Sequence, residues 1–309
     1  MRLLLFASLV ITGLQAQRPD DPDWQKAAGG QMGFDVASVK PTKTPRLPNF
    51  PSNNGDAKPP GGRLAASFSL SAYIPFAYKL DLSQWSAVQA QLPGWANDAY
   101  AIDAEAEGNP TKDQMRLMMQ SLLADRFKLK IHFETKEVPV LALTLVKPGQ
   151  LGPKLIPHSA GPPCPDSFEM MKLPTPGTPF TPLPKSGDNW PPNCGTSAIV
   201  LGTPESTRIG SRNTTMALLA QDIYGYASRP GEIDKPVVDR TGLQGTFDFV
   251  LELAPGMISL IPKPPNPDDP PKGTPILNAV REQLGLKLER SRGEIRTLII
   301  DHIERPSEN

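Results

Sequence analysis

The sequence predicts an α+β protein of two related β-α-β-α-β-β units with antiparallel or mixed sheets, joined by a proline-rich linker. Three observations predict it. Stretches such as AYAIDAEA (99–106) alternate apolar and polar residues with the two-residue period of a half-buried strand. The segment TKDQMRLMMQSLLADR (111–126) sets Met115, Met118, Met119, Leu122 and Leu123 at the spacing of an amphipathic helix behind an N-cap threonine. The 37 prolines are concentrated, with 6 in residues 41–60, 13 in 147–194 and 8 in 255–275. Proline fixes φ and has no N–H to donate, so these stretches are joints rather than parts of helices or inner strands.

The first unit is expected over 34–147, with FDVASVKP (34–41) as an additional strand ahead of its β-α-β-α-β-β order. RLAASFSL is extended and SAYIPFAYKL helical. A strand follows with Tyr100, Ile102, Ala104 and Ala106 on one face and Asp103, Glu105 and Glu107 on the other, and then the 111–126 helix. FKLKIHFETKEVPVLALTLV (127–146) reads as a two-stranded hairpin. The proline-rich linker is placed at 148–200, and the second unit at 201–309 with a proline-rich insert at 255–275. In that unit TRIGSRNT is extended and TMALLAQDIYGYA helical, and DRTGLQGTFDFVLELA is a turn delivering an alternating strand. PILNAVREQLG is a helix opening at Pro275 and stopped by Gly285, and LKLERSRGEIRTLIIDHIE is a hairpin turning near Arg292 and Gly293.

Residues 1–16, MRLLLFASLVITGLQA, have a positive start at Arg2, an apolar stretch from Leu3 to Ile11 and a small residue, Ala16, before a polar run. That is the pattern of a secretory signal peptide, with 17–33 as a flexible N-terminus of the mature chain. An exported periplasmic or extracellular protein without a transmembrane segment in its mature part is expected. Basic and acidic residues balance, 32 against 32, and no basic stripe with interleaved aromatics occurs, so nucleic acid is not an expected partner. Cys164 and Cys194 are the two cysteines. In an oxidising compartment a disulfide between them is expected, the alternative being two separate thiols.

A catalytic set is not found. His132, His158 and His302 have no metal-ligand spacing, and two cysteines without nearby histidines supply too few ligands for zinc, so neither a metal nor another cofactor is expected. GxSxG and SxxK are absent. Asp103, Glu105 and Glu107 on one strand face, and Asp248 and Glu252 on another, could act as paired carboxylates on a glycoside, the alternative being wet sheet faces. The most distinctive stretch is PVVDRTGLQGTFDF (236–249). Asp239 and Thr241 can bond nearby backbone donors and Gly242 permits a turn, so Asp239, Arg240, Thr241 and Gly242 are the candidate binding residues, against a purely structural turn.

FDVASVKP (34–41), LLADRFKLKIHFETKEVPVLALTLVKPG (122–149), KPVVDRTGLQGTFDFVLELAP (235–255), AVREQLGLKLE (279–289) and IDHIERPSEN (300–309) together resemble a family of exported soil-bacterial proteins, abundant in acidobacteria and classed as a domain of unknown function. Some of its relatives are similar to extracytoplasmic extensions of antirepressor peptidases of the beta-lactam-sensor type. The resemblance implies sensing or interaction outside the cytoplasm. Protease activity does not carry over, because the HExxH motif is missing here, and the family brings no established catalytic residues. The reading is therefore an exported, non-catalytic binding module for an unknown protein or small-molecule ligand of the cell envelope, with a secreted carbohydrate hydrolase using Asp103 or Asp248 as the alternative.

Overall fold

The structure is a computed structural model that describes residues 22–44, 46, 60–159, 194–195, 197–201, 207–228, 233–253 and 276–306. In chain order the elements are α1 (Asp23–Ala27), β1 (Val36–Thr42), β2 (Arg63–Phe68), α2 (Leu70–Ala77), α3 (Leu82–Gln89), β3 (Ala99–Glu105), α4 (Lys112–Arg126) and β4 (Lys130–Leu145). They continue with β5 (Leu155–Pro157), β6 (Ala198–Leu201), β7 (Thr207–Thr214), α5 (Met216–Ala227), β8 (Val237–Asp239), β9 (Phe247–Leu253), α6 (Ile276–Leu284) and β10 (Leu286–His302). The expected α+β class is what the structure has. Three sheets form: an antiparallel β1-β3-β2, a mixed β10-β4-β8 and an antiparallel β5-β9-β7-β6.

Local chemistry accounts for most boundaries. The alternation read at 99–106 buries Tyr100, Ile102 and Ala104 in β3. Thr111 caps α4 with a reciprocal pair: its Oγ1 accepts from Gln114 N at 3.2 Å, while Gln114 Oε1 accepts from Thr111 N at 2.8 Å. Gly285 ends α6 at φ 70°, a conformation that costs glycine nothing. Here the backbones touch: a Cβ on Gly152 would lie 2.4 Å from Gly285 N, and Gly152 N donates to Leu284 O at 2.9 Å. Two elements stand where no helix was read. α1 falls within the expected flexible 17–33, and α3 follows Asp81, whose side chain accepts from Gln84 N at 3.1 Å in a second capping box.

Both expected hairpins are wrong. β4 and β10 are each one continuous strand, and they pair with each other antiparallel along nearly their whole length, Val138 opposite Gly293. Pro139 of β4, and Gly293, near which the second turn was expected, both fit into the continuous ladder. Pro139 sits where its missing N–H faces away from β10 and removes no ladder bond. Gly293 makes room for Val140, whose Cγ2 would lie 3.2 Å from an added Cβ.

This ribbon joins two hydrophobic cores. Ile131, Phe133, Leu298 and Ile300 pack into a core with α2, α4 and the first sheet. Leu141, Leu143, Leu145, Leu286 and Leu288 pack into another with α5, α6 and the third sheet. α3 also bridges the halves. It lies against β10 and against α5, where Gly225 leaves space for Leu82: a Cβ there would come within 2.9 Å of Leu82 Cδ2.

Strand edges are closed by amide side chains. Gln91 of the turn after α3 accepts from Ile300 N at 2.9 Å and donates to Leu298 O at 3.0 Å, and Gln84 donates to Arg296 O. In the other half Gln283 of α6 accepts from Glu252 N and donates to Glu252 O, both at 2.8 Å. A buried backbone group left unpaired costs about as much as a lost hydrogen bond, so each amide stands in for a missing strand.

Candidate polar site at one end of the third sheet

Across the third sheet, one end carries a row of polar groups. Asp248 on β9 is buried and its Oδ1 lies 2.7 Å from His158 Nδ1, just past β5. The same oxygen accepts from Asn213 N at 2.8 Å. Asn213 stands at φ 51° where the β7–β9 register slips between Ser211 and Thr214, so the carboxylate holds a bulge open. His158 N in turn donates to Thr246 O at 2.9 Å, which fixes the backbone that carries the ring. Next along the row, Gly195 N donates to Arg212 O at 2.7 Å, and Cys194 makes an isolated bridge with Arg212. Ser197 then donates through Oγ to Asp222 on α5.

Burial is what makes this row distinctive. Arg212 and Asp248 are both buried on the outward side of the sheet, while Phe247, Phe249 and Ile209 fill the core on the other. Burial pushes the Asp222 carboxyl up to about 7, with the Ser197 hydrogen bond pulling the other way. Beside Asp248, Thr214 is fully buried and its Oγ1 has no hydrogen-bond partner among the described residues. The arrangement can hold a histidine ring in one orientation through Nδ1. It can also hold a carboxylic acid that changes charge near neutrality. Sequence reading missed both pairs: Asp222 has no local signature, and His158 is 90 residues from Asp248.

The candidate turn behaves differently. Asp239 Oδ1 accepts from Thr241 N at 2.9 Å and from Thr241 Oγ1 at 2.8 Å, and Thr241 Oγ1 accepts from Leu243 N at 3.2 Å. Gly242 takes φ 74°. The turn is therefore rigid through its own side chains. It is moored to the ribbon by Arg240 N, which donates to Leu143 O at 2.9 Å. The Arg240 side chain is exposed, with no ion pair or side-chain hydrogen bond among the described residues.

The carboxylates considered for glycoside chemistry divide between two sheets. Asp103 on β3 pairs with Arg46 at 2.8 Å and Glu105 lies 4.0 Å from Arg63. Glu252 on β9 is shared by Arg208 at 3.1 Å and Lys154 at 3.2 Å. His132 lies 2.8 Å from Asp301, and His302 lies 2.6 Å from Glu304, both on the exposed ribbon end. No group of three His, Cys, Asp or Glu residues placed to hold a metal ion occurs among the described residues. No helix among them is long and apolar enough to cross a membrane. Cys164, the signal-like residues 1–16, Pro275 and the insert 255–275 lie outside the described residues.

A family model described as a protein of unknown function (DUF3738) matches residues 71–303, from α2 to the end of β10. Neither the curated proteins nor the solved structures contain a match.

Proposed function

The chain belongs to the DUF3738 family of unknown function, and from that premise we propose that it is an exported, non-catalytic binding module for an anionic component of the cell envelope. The observation that carries this reading is the 239–242 turn. Asp239 and Thr241 spend their polar atoms on holding the turn, while Arg240 projects from it with its guanidinium unengaged by described residues. A planar cation on a rigid turn suits a carboxylate or phosphate, since little freedom is lost on binding. The pairing of Asp103, Glu105 and Glu252 with cations argues against these three as the acid of the hydrolase alternative, and Asp248 is engaged by His158 and by Asn213 N.

Export rests on the signal-like 1–16, and a sensing role on the resemblance, read from the sequence, of some relatives to extracytoplasmic extensions of antirepressor peptidases. We also propose that the chain is two related units about a proline-rich linker tied by a Cys164–Cys194 disulfide, which would anchor that linker beside Arg212. Alkylation before and after reduction tests the bond: the folded chain should take up label only once reduced.

Co-sedimentation with isolated cell-wall sacculi and pull-down from envelope extract test the binding reading. The mature chain should be retained and Arg240→Glu should lose retention at least roughly tenfold, the scale of one charge-assisted contact. Equal retention of both proteins, or of neither, would count against it.

A further inference from the structure

We propose that the open edge of β4 pairs with the same edge of a second copy of this chain, antiparallel about a two-fold axis at Thr135. The register fixes which backbone groups are available. Leu141 N donates to Pro236 O and Leu143 O accepts from Arg240 N, so odd-numbered residues of β4 turn their N–H and C=O toward β8. β8 covers only Leu141 to Leu143. Further back along the strand Ile131, Phe133, Thr135, Glu137 and the carbonyl of Pro139 face the same way, with no strand beside them among the described residues. From the other side, Arg296 O, Leu298 O and Ile300 N of β10 point away from β4, which confirms the phase.

Parts of other edges are capped, Arg296 to Ile300 of β10 by Gln84 and Gln91 and Glu252 of β9 by Gln283, and β8 covers the far end of β4, whereas this stretch has no strand beside it among the described residues and carries exposed Thr135, Lys136, Glu137 and Pro139. An open edge is a template for another strand. Charge selects the copy and its register. With the axis at Thr135, Glu134 of each copy lies opposite Lys136 of the other, and the paired span runs from Ile131 to Pro139. An axis at 134 sets Glu134 against itself, one at 136 sets Lys136 against itself, and one at 137 does so for Glu137. An axis at 133 brings Lys130 to Lys136. The span ends at Pro139, which can accept but not donate, just before β8 takes over. An isologous contact of this kind closes at two copies and does not propagate.

The surface is separate from the Arg240 turn, so either proposal can fail alone. Sedimentation equilibrium on the mature chain should show a dimer. Lys136→Glu alone and Glu134→Lys alone should each be monomeric at the concentrations where the native chain pairs, because each sets like charges opposite one another. Mixing the two single variants should restore the dimer, since each then meets its complement. Thr135→Pro, which removes the N–H at the axis and no bond to β10, should also give monomer with an unchanged far-UV spectrum. A native chain that stays monomeric overturns the proposal, as does a dimer indifferent to all three variants or a mixture that does not recover.

Discussion

Two stretches of the molecule run through a comparable series of elements, with α3 interrupting one and β8 the other, and differ in what they put at the centre. β2-α2-β3-α4-β4 corresponds to β7-α5-β9-α6-β10, and in each the middle strand is flanked antiparallel on both sides: β3 by β1 and β2, β9 by β5 and β7. Ile102 pairs with Val39 and Ala66, and Phe249 with Leu155 and Ser211. One residue earlier the halves part. Ala101 carries nothing polar, while Asp248 holds His158 and a bulge. The first half closes instead with aromatic contacts, Tyr100 edge-on to Phe127 at 5.2 Å and Tyr73 Oη donating to Tyr100 O at 2.9 Å. The first sheet thus centres on an apolar strand, and the third on one that carries a buried carboxylate.

The comparison is broken most severely at the glycine contact of the second half. Gly152→Ala drives a Cβ into the backbone of Leu284 and Gly285, and an expected loss of roughly 3 kcal/mol or more should appear as a large fall in the denaturation midpoint. Next is Asp248→Ala, which leaves Asn213 N and the His158 ring without their acceptor. About 2 kcal/mol is expected, and hydrogen exchange at Asn213 should rise while amides of β3 stay protected.

Asp222 sharpens the comparison through pH. Its folded value of about 7 lies above the ordinary 3.8, so between these values the folded state keeps a proton that the unfolded chain has lost. Stability therefore falls as pH rises from about 4 to about 7 and is level beyond, by an amount on the order of 4 kcal/mol. Asp222→Asn should flatten that slope in urea titrations at several pH values; an unchanged slope would remove Asp222 as its source. The smallest effect concerns the amides. Gln91→Ala and Gln283→Ala should each cost about 1 kcal/mol, in equal measure if the two edges are closed by the same physics.

What could be read from the letters follows from range. Periodicity is local, so α4, β3 and the cap at Gly285 were legible, and the Asp239 turn showed its own partners within two residues. Strand pairing is not local. Gly293 looks like a turn when its strand is read alone, and only the partner strand shows it to be a gap for Val140 and shows Pro139 to be an edge position. α3 was passed over because its apolar residues are few, although Asp81 and Gln84 spelled its cap. The pairs of the polar row were invisible because Ser197–Asp222 and His158–Asp248 form across the fold.

The ribbon also sets a timetable for folding. β10 is the last of the described strands and closes against β4, whose paired residues stand some 141 to 172 positions earlier, and each core takes side chains from both strands. Neither half can finish while the C-terminal segment is still being made, however native its helices are by then. Loop closure over that distance is slow, and what waits for it is a chain with an unpaired β4 and two open cores. A chain cut short before Leu286 should thus lose not one domain but both, and appear as a collapsed, protease-sensitive species rather than as a folded first half.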